Sequence, residues 1–119
     1  MSEMSVDHNY FECHADVMRD IGKTGYWPTT YLSETSPELP VHYHDYNIIG
    51  YVLSGSTYVL DEHNQRIEIS KGDRLNIPKG AWHAEGAVTD PVTYIVTIEQ
   101  PVPFLKALTP QEPRGPWPN

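Results

Sequence analysis

The residues best placed to do chemistry are three histidines: His42 and His44 in Pro40-Val41-His42-Tyr43-His44, and His83 in Pro78-Lys79-Gly80-Ala81-Trp82-His83. On an extended strand side chains alternate between faces, so His42 and His44 point the same way. The Pro-x-Gly-x-x-His arrangement can bring His83 in from a neighbouring strand. Three convergent imidazoles make a donor set for a divalent transition metal such as Fe, Mn, Ni or Zn. By the same alternation Tyr46 and Ile48 share the face of His42 and His44, while Ala81, Glu85 and Ala87 share that of His83. The expected pocket holds three imidazoles, a phenol, a carboxylate and apolar walls, the usual make-up of a small-ligand site. Metal ligation is expected of His42, His44 and His83, and a proton-handling role of Tyr46 or Glu85. Glu85 could instead swing in as a ligand, and a bulge could bring in Asn47.

These side chains need a scaffold of short strands. Residues 26–32 are rich in aromatic and β-branched types and read as a strand, with Pro28 marking an edge or a bulge. Further extended runs follow at 41–44, 48–53, 57–60, 66–70, 74–77, 82–88 and 92–98, with turn residues such as Ser54-Gly55 and Lys71-Gly72-Asp73 between them. Many short strands at this spacing predict an all-β sandwich or barrel. A short helix is expected over 13–20, ending at Gly22. The organisation is then an N-terminal extension (1–24), a barrel (25–100) and a proline-rich tail (101–119) holding six of the eleven prolines. In the tail, 104–108 could form a helical turn or a strap, and the rest should run extended over the surface or across a partner subunit.

The bulk properties narrow the partners. A chain of 119 residues is one domain, long enough to bury roughly two thirds of its unfolded surface. Sixteen acidic against eight basic residues give a net charge of -8 with no Lys/Arg cluster, so the footprint of nucleic-acid binding is missing. No apolar run approaches the ~20 residues of a membrane helix. The N-terminus lacks a basic start and an apolar stretch, so a cytoplasmic location is expected. Cys13 is the single cysteine, which rules out an intrachain disulfide, and it reads as a small half-buried residue. His8, His14 and His63 read as surface groups, and Trp82 as a rim or packing residue.

The histidine stretches also resemble the two motifs of the cupin superfamily, in its small single-domain form. The first motif runs Gly, five residues, His-x-His, three or four residues, Glu, six residues, Gly. His42, His44 and Gly55 match it, while Ser36 stands at the opening glycine and Ile48 at the glutamate. The second runs Gly, five residues, Pro-x-Gly, two residues, His, three residues, Asn. Gly72, Pro78, Gly80 and His83 match without gaps, and Ala87 stands at the asparagine. The resemblance covers about residues 36–87 and implies a double-stranded β-helix (jelly-roll barrel) with one metal near its mouth. It also implies a homodimer. Cupins include dioxygenases, isomerases, lyases and non-catalytic binding proteins, so the fold narrows function little. With isoleucine at position 48, the expected site is a three-histidine one lacking the usual glutamate, acting on a small anionic organic substrate. A non-catalytic binding or sensing module is the alternative.

Overall fold

The computed structural model of the chain describes residues 3–100 and 110–111. Its elements are β1 (Ser5–Asp7), α1 (His14–Thr24), β2 (Trp27–Ser33), β3 (Ile48–Ser54), β4 (Ser56–Leu60), β5 (Arg66–Ser70), β6 (Arg74–Ile77), β7 (Ala84–Glu85) and β8 (Val92–Ile98). They form two antiparallel sheets, one ordered β1-β6-β3-β8-β2 and the other β5-β4-β7. The protein is mostly β, and its two sheets are consistent with a jelly roll.

The apolar layer between the sheets joins Val59 and Ile69 of the smaller sheet to Ile48, Val52, Leu75, Ile77 and Val96 of the larger. The other face of the larger sheet is covered too. Tyr51 and Ile95 pack there against Phe11 and against Val17 and Ile21 of α1, with Ile49 and Leu53 at the margin. Strand β3 is thus buried on both faces, which is why 48–53 reads as a continuous apolar run. Pro28 lies in β2, the outermost strand on that side of the sheet, where a residue without an N–H is tolerated.

Helix α1 is longer than its sequence suggests. Gly22 costs only about 1 kcal/mol in a helix interior, and the helix runs past it to Gly25. There φ is +72° and the Gly25 N–H donates to the Ile21 carbonyl at 2.9 Å. At the other end the Asp16 carboxylate accepts from the backbone N–H groups of Glu12 and Cys13, at 2.9 and 3.3 Å. Cys13 occupies the N-cap and is exposed rather than half-buried, because the apolar stripe of the helix begins only at Val17.

Two expected strands change shape and one unexpected strand appears. Residues 41–44 make isolated bridges only, His42 with His83 and Tyr43 with Gln111. The run at 82–88 shrinks to Ala84–Glu85, with a further bridge between Val88 and Ser36. Strand β1 adds a pairing with β6 that three residues are too few to announce as periodicity. The expected features at 104–108 and along the tail lie outside the described residues, apart from Pro110 and Gln111.

Candidate metal centre

His42 and His83 are brought face to face by their backbones. Each N–H donates to the other's carbonyl, at 2.9 and 3.0 Å. The Gly80 N–H donates to the His44 carbonyl at 3.0 Å, which ties the two histidine segments together once more. The three imidazoles cluster with ring centroids 4.6 to 5.1 Å apart, and all three residues are buried. Glu85, one turn of the strand alternation beyond His83, joins them. One donor atom from each of His42, His44, His83 and Glu85 lies within 4.8 Å of all the others.

The hydrogen bonds fix what these groups present. His42 Nδ1 lies 2.8 Å from the Pro40 carbonyl, and His83 Nδ1 lies 3.0 Å from the Ala81 carbonyl. A carbonyl only accepts, so in both rings the proton sits on Nδ1. The neutral rings then offer Nε2 lone pairs. His42 Nε2 is 2.8 Å from Glu85 Oε2, and His83 Nε2 is 3.5 Å from Glu85 Oε1. These are ion-pair distances without hydrogen-bond alignment, and His42 Nε2, His83 Nε2 and Glu85 Oε2 are buried with no hydrogen-bond partner among the described residues. Two lone pairs at such a distance repel unless a positive charge lies between them. A proton can serve one contact; a divalent cation serves all of them at once. Ligands on such a cation, with bonds of about 2.0–2.2 Å, lie no more than about 4.4 Å apart, so the cluster needs little contraction to take one. The residues fit a metal.

Without a metal, the electrostatics favour a proton between Glu85 and the imidazoles. Burial pushes the Glu85 carboxyl up, but His42 and His83 outweigh it and hold the group well below the usual carboxylate range. Burial depresses the His42 imidazole, and the Glu85 carboxylate more than restores it. The side chain of Glu85 retains 38 % of its accessible surface, and Glu85 is one of the residues lining a cavity.

The cavity has a volume of about 600 Å³ and lies between the sheets, within the roughly 300–1,000 Å³ of small-molecule sites. All four residues of the cluster line it, as do Ile48, Leu75, Ile77 and Val96. Its mouth is crossed by the segment after β2. The Ser36 and Leu39 N–H groups donate to the Val88 and Glu85 carbonyls, and the Tyr58 hydroxyl donates to Glu38 at 2.5 Å. The Tyr43–Gln111 bridge sets Pro110 against the same cavity. Gly86 makes room for the Tyr58 wall: a Cβ there would lie 2.4 Å from the Tyr58 carbonyl oxygen.

Two expected site residues lie elsewhere. Tyr46 is half-buried and is not among the residues lining the cavity, because a bend at residues 45–46 interrupts the alternation between His44 and Ile48. Asn47 turns away as well. Its side chain donates to Glu99 at 3.0 Å and accepts from the Lys79 N–H at 2.7 Å. Ile48 is buried and lines the cavity, so the position of the missing glutamate is apolar wall while Glu85 supplies a carboxylate from β7. The carbonyls of Pro40 and Ala81 were not foreseen. Their only sequence signal is that each lies two residues before a histidine.

A second group, Glu3, Glu62 and His63, also brings donor atoms within 4.8 Å of one another, but Glu3 and His63 are exposed.

Among solved structures, the chain is similar to a DUF861-family protein from Thermotoga maritima, with a TM-score of 0.58 and 22 % identity over 80 % of this chain and 98 % of that one. It is also similar to the DMSP lyase DddQ from Ruegeria pomeroyi, with a TM-score of 0.54 and 22 % identity over 61 % of this chain and 37 % of the lyase. The polyketide cyclase RemF from Streptomyces resistomycificus gives a TM-score of 0.52 and 22 % identity over 66 % of this chain and 57 % of the cyclase. At these identities the likeness is one of fold. No curated protein matches the chain. The cupin-domain profile, Cupin_2, matches residues 31–98, more than half of the sequence, and the chain belongs to that family.

Proposed function

We propose that the protein is a mononuclear metal-dependent cupin in which His42, His44, His83 and Glu85 hold one divalent transition metal. The carrying observation is the 2.8 Å approach of His42 Nε2 to Glu85 Oε2 while the His42 Nδ1 proton is committed to Pro40. The bound ion would supply Lewis acidity to a chelating carbonyl or carboxylate of a small organic anion. Glu85 takes the place left by Ile48, so three neutral imidazoles and one carboxylate leave a divalent ion with one net positive charge. The Pro40 and Ala81 carbonyls orient the rings of His42 and His83 and fix their tautomers. The segment carrying Ser36 and Leu39, latched by Tyr58 and Glu38, is held beside the cavity by these hydrogen bonds. The fold also hosts enzymes, among them the lyase and the cyclase named above.

A reading without turnover has its own support. The Thr57 hydroxyl donates to the Ala87 carbonyl at 2.8 Å and Tyr58 donates to Glu38, so two hydroxyls of the cavity wall are already committed. Oxygen consumption and product formation across keto acids and diketones separate the two readings.

Metal analysis of protein purified without a histidine tag tests the proposal. One equivalent per chain, lost in His42→Ala, is expected. No stoichiometric metal, with no change on that substitution, would overturn it.

A further inference from the structure

We infer that the cavity takes a singly charged anion with a slim apolar body, such as a monocarboxylate, and that Gly50 sets how long that body can be. The inference rests on the metal reading above and deepens it.

Charge decides the head group. Among the described residues that line the cavity, the ionisable groups are the three histidines, Glu85 and the phenols of Tyr58 and Tyr94, and neither lysine nor arginine is present. A divalent ion with one carboxylate leaves one positive charge to be met. A monoanion meets it. The second charge of a phosphate ester or a dicarboxylate would be buried against a wall that offers no cation, where its desolvation is not offset. The net charge of -8 further discourages polyanions from approaching.

The walls decide the body. Ile48, Val59, Leu75, Ile77, Val88 and Val96 belong both to the cavity and to the core between the sheets. The nearby Thr57 and Tyr58 hydroxyls are engaged by protein acceptors. Ser33, Ser36 and Tyr94 add hydroxyls to the lining, but a ligand with many hydroxyls would still lose more hydration along the apolar walls than these could replace.

Gly50 shows where the body lies. It sits in β3 on the face of Ile48 and Val52 and lines the cavity. Its backbone does not need glycine, for its φ is not positive. Space does not forbid a side chain either, because among the described residues a Cβ would meet only Leu75 Cβ, at 4.0 Å. Gly86 differs, since a Cβ there would collide with the Tyr58 backbone and ring. Glycine inside a strand weakens it and often marks close approach by a ligand. At position 50 the missing side chain serves to extend the cavity.

The test uses the full chain loaded with Co(II). Metal content is measured first, and binding is then followed by calorimetry and by the visible cobalt bands. The probes are butanoate, hexanoate, octanoate, adipate and hexyl phosphate. Affinity should rise about fourfold per methylene along the monocarboxylates, and adipate and hexyl phosphate should bind at least about tenfold more weakly than hexanoate. Gly50→Leu should take up cobalt and lose the preference for octanoate over butanoate; Gly50→Ala, which adds a single methyl, should reduce it and serves if the leucine variant does not fold. A chain that takes up cobalt but binds adipate as well as hexanoate, or keeps its octanoate preference in both variants, would overturn the inference alone. A chain that takes up no cobalt would overturn the metal reading with it.

Discussion

Strand β3 separates two buried polar clusters of opposite character. On its outer face Asp20 of α1 accepts the Tyr10 and Tyr51 hydroxyls, both at 2.6 Å, and pairs with Arg74 at 2.9 Å. Arg74 reaches on to Asp7, which also accepts from Asn76. On the inner face His42 lies as close to Glu85, at 2.8 Å, yet His42 Nε2, His83 Nε2 and Glu85 Oε2 have no hydrogen-bond partner among the described residues. Both clusters set carboxylates against nitrogen groups, but donors and acceptors are matched on one side and not on the other. Satisfied networks stabilise a fold. A cluster left frustrated is stable only when something else binds it, and that is the difference between a clamp and a site.

Deletions should separate the two clusters, and the largest effect belongs to the clamp. Asp20→Ala leaves the charge of Arg74 short of a partner in a poorly solvated place and should cost about 3–5 kcal/mol in urea unfolding, with or without metal. Glu85→Gln should lower metal affinity by more than the ~10–100-fold that changes outside the ligand set produce, read by competition with a chelator. In metal-free protein its stability should fall by less than in Asp20→Ala, because the pairing of Glu85 with His42 and His83 needs a proton on an imidazole Nε2, whereas the Arg74 charge facing Asp20 is permanent. If Glu85→Gln destabilises the metal-free chain as much as Asp20→Ala does, the contrast fails.

Tyr51→Phe should cost about 1–2 kcal/mol, the price of removing one donor from a buried carboxylate. The pH dependence is the subtlest signature. Burial raises the Asp20 carboxyl, but Tyr10, Tyr51 and Arg74 outweigh it and leave the group below its ordinary range. Below about pH 4 the unfolded chain therefore binds more protons at this position than the folded one. The stabilisation is complete at neutral pH and declines as pH falls through the folded-state value. Urea midpoints measured from pH 7 down to 3 should fall less steeply in Asp20→Asn than in the parent; parallel curves would remove Asp20 from the acid limb.

The two clusters were unequally legible in the sequence. His42, His44 and His83 announce themselves because His-x-His and Pro-x-Gly-x-x-His carry fixed spacings within short stretches. Glu85 followed from parity with His83, since 83–85 keeps the alternation of a strand. Tyr46 did not follow from parity with His44, since the bend at 45–46 resets it. The clamp was invisible. It joins Asp7, Asp20, Tyr51 and Arg74 from four elements and Tyr10 from the link between β1 and α1, and no local pattern connects them. The barrel strands were readable from turn residues and β-branched runs. The N-terminal segment was not recognised as part of the sheet, because β1 pairs with a strand whose first residue lies 67 positions after its own last one, Asp7 with Arg74.

The central claim is that Glu85 completes a metal site that Ile48 leaves short. A crystal structure of metal-loaded protein, with anomalous scattering recorded at the metal's absorption edge, tests it most directly. One peak is expected, within about 2.0–2.2 Å of nitrogens of His42, His44 and His83 and of a Glu85 carboxylate oxygen. No peak at the cluster, or a peak bound by the histidines with Glu85 turned away, would contradict the account.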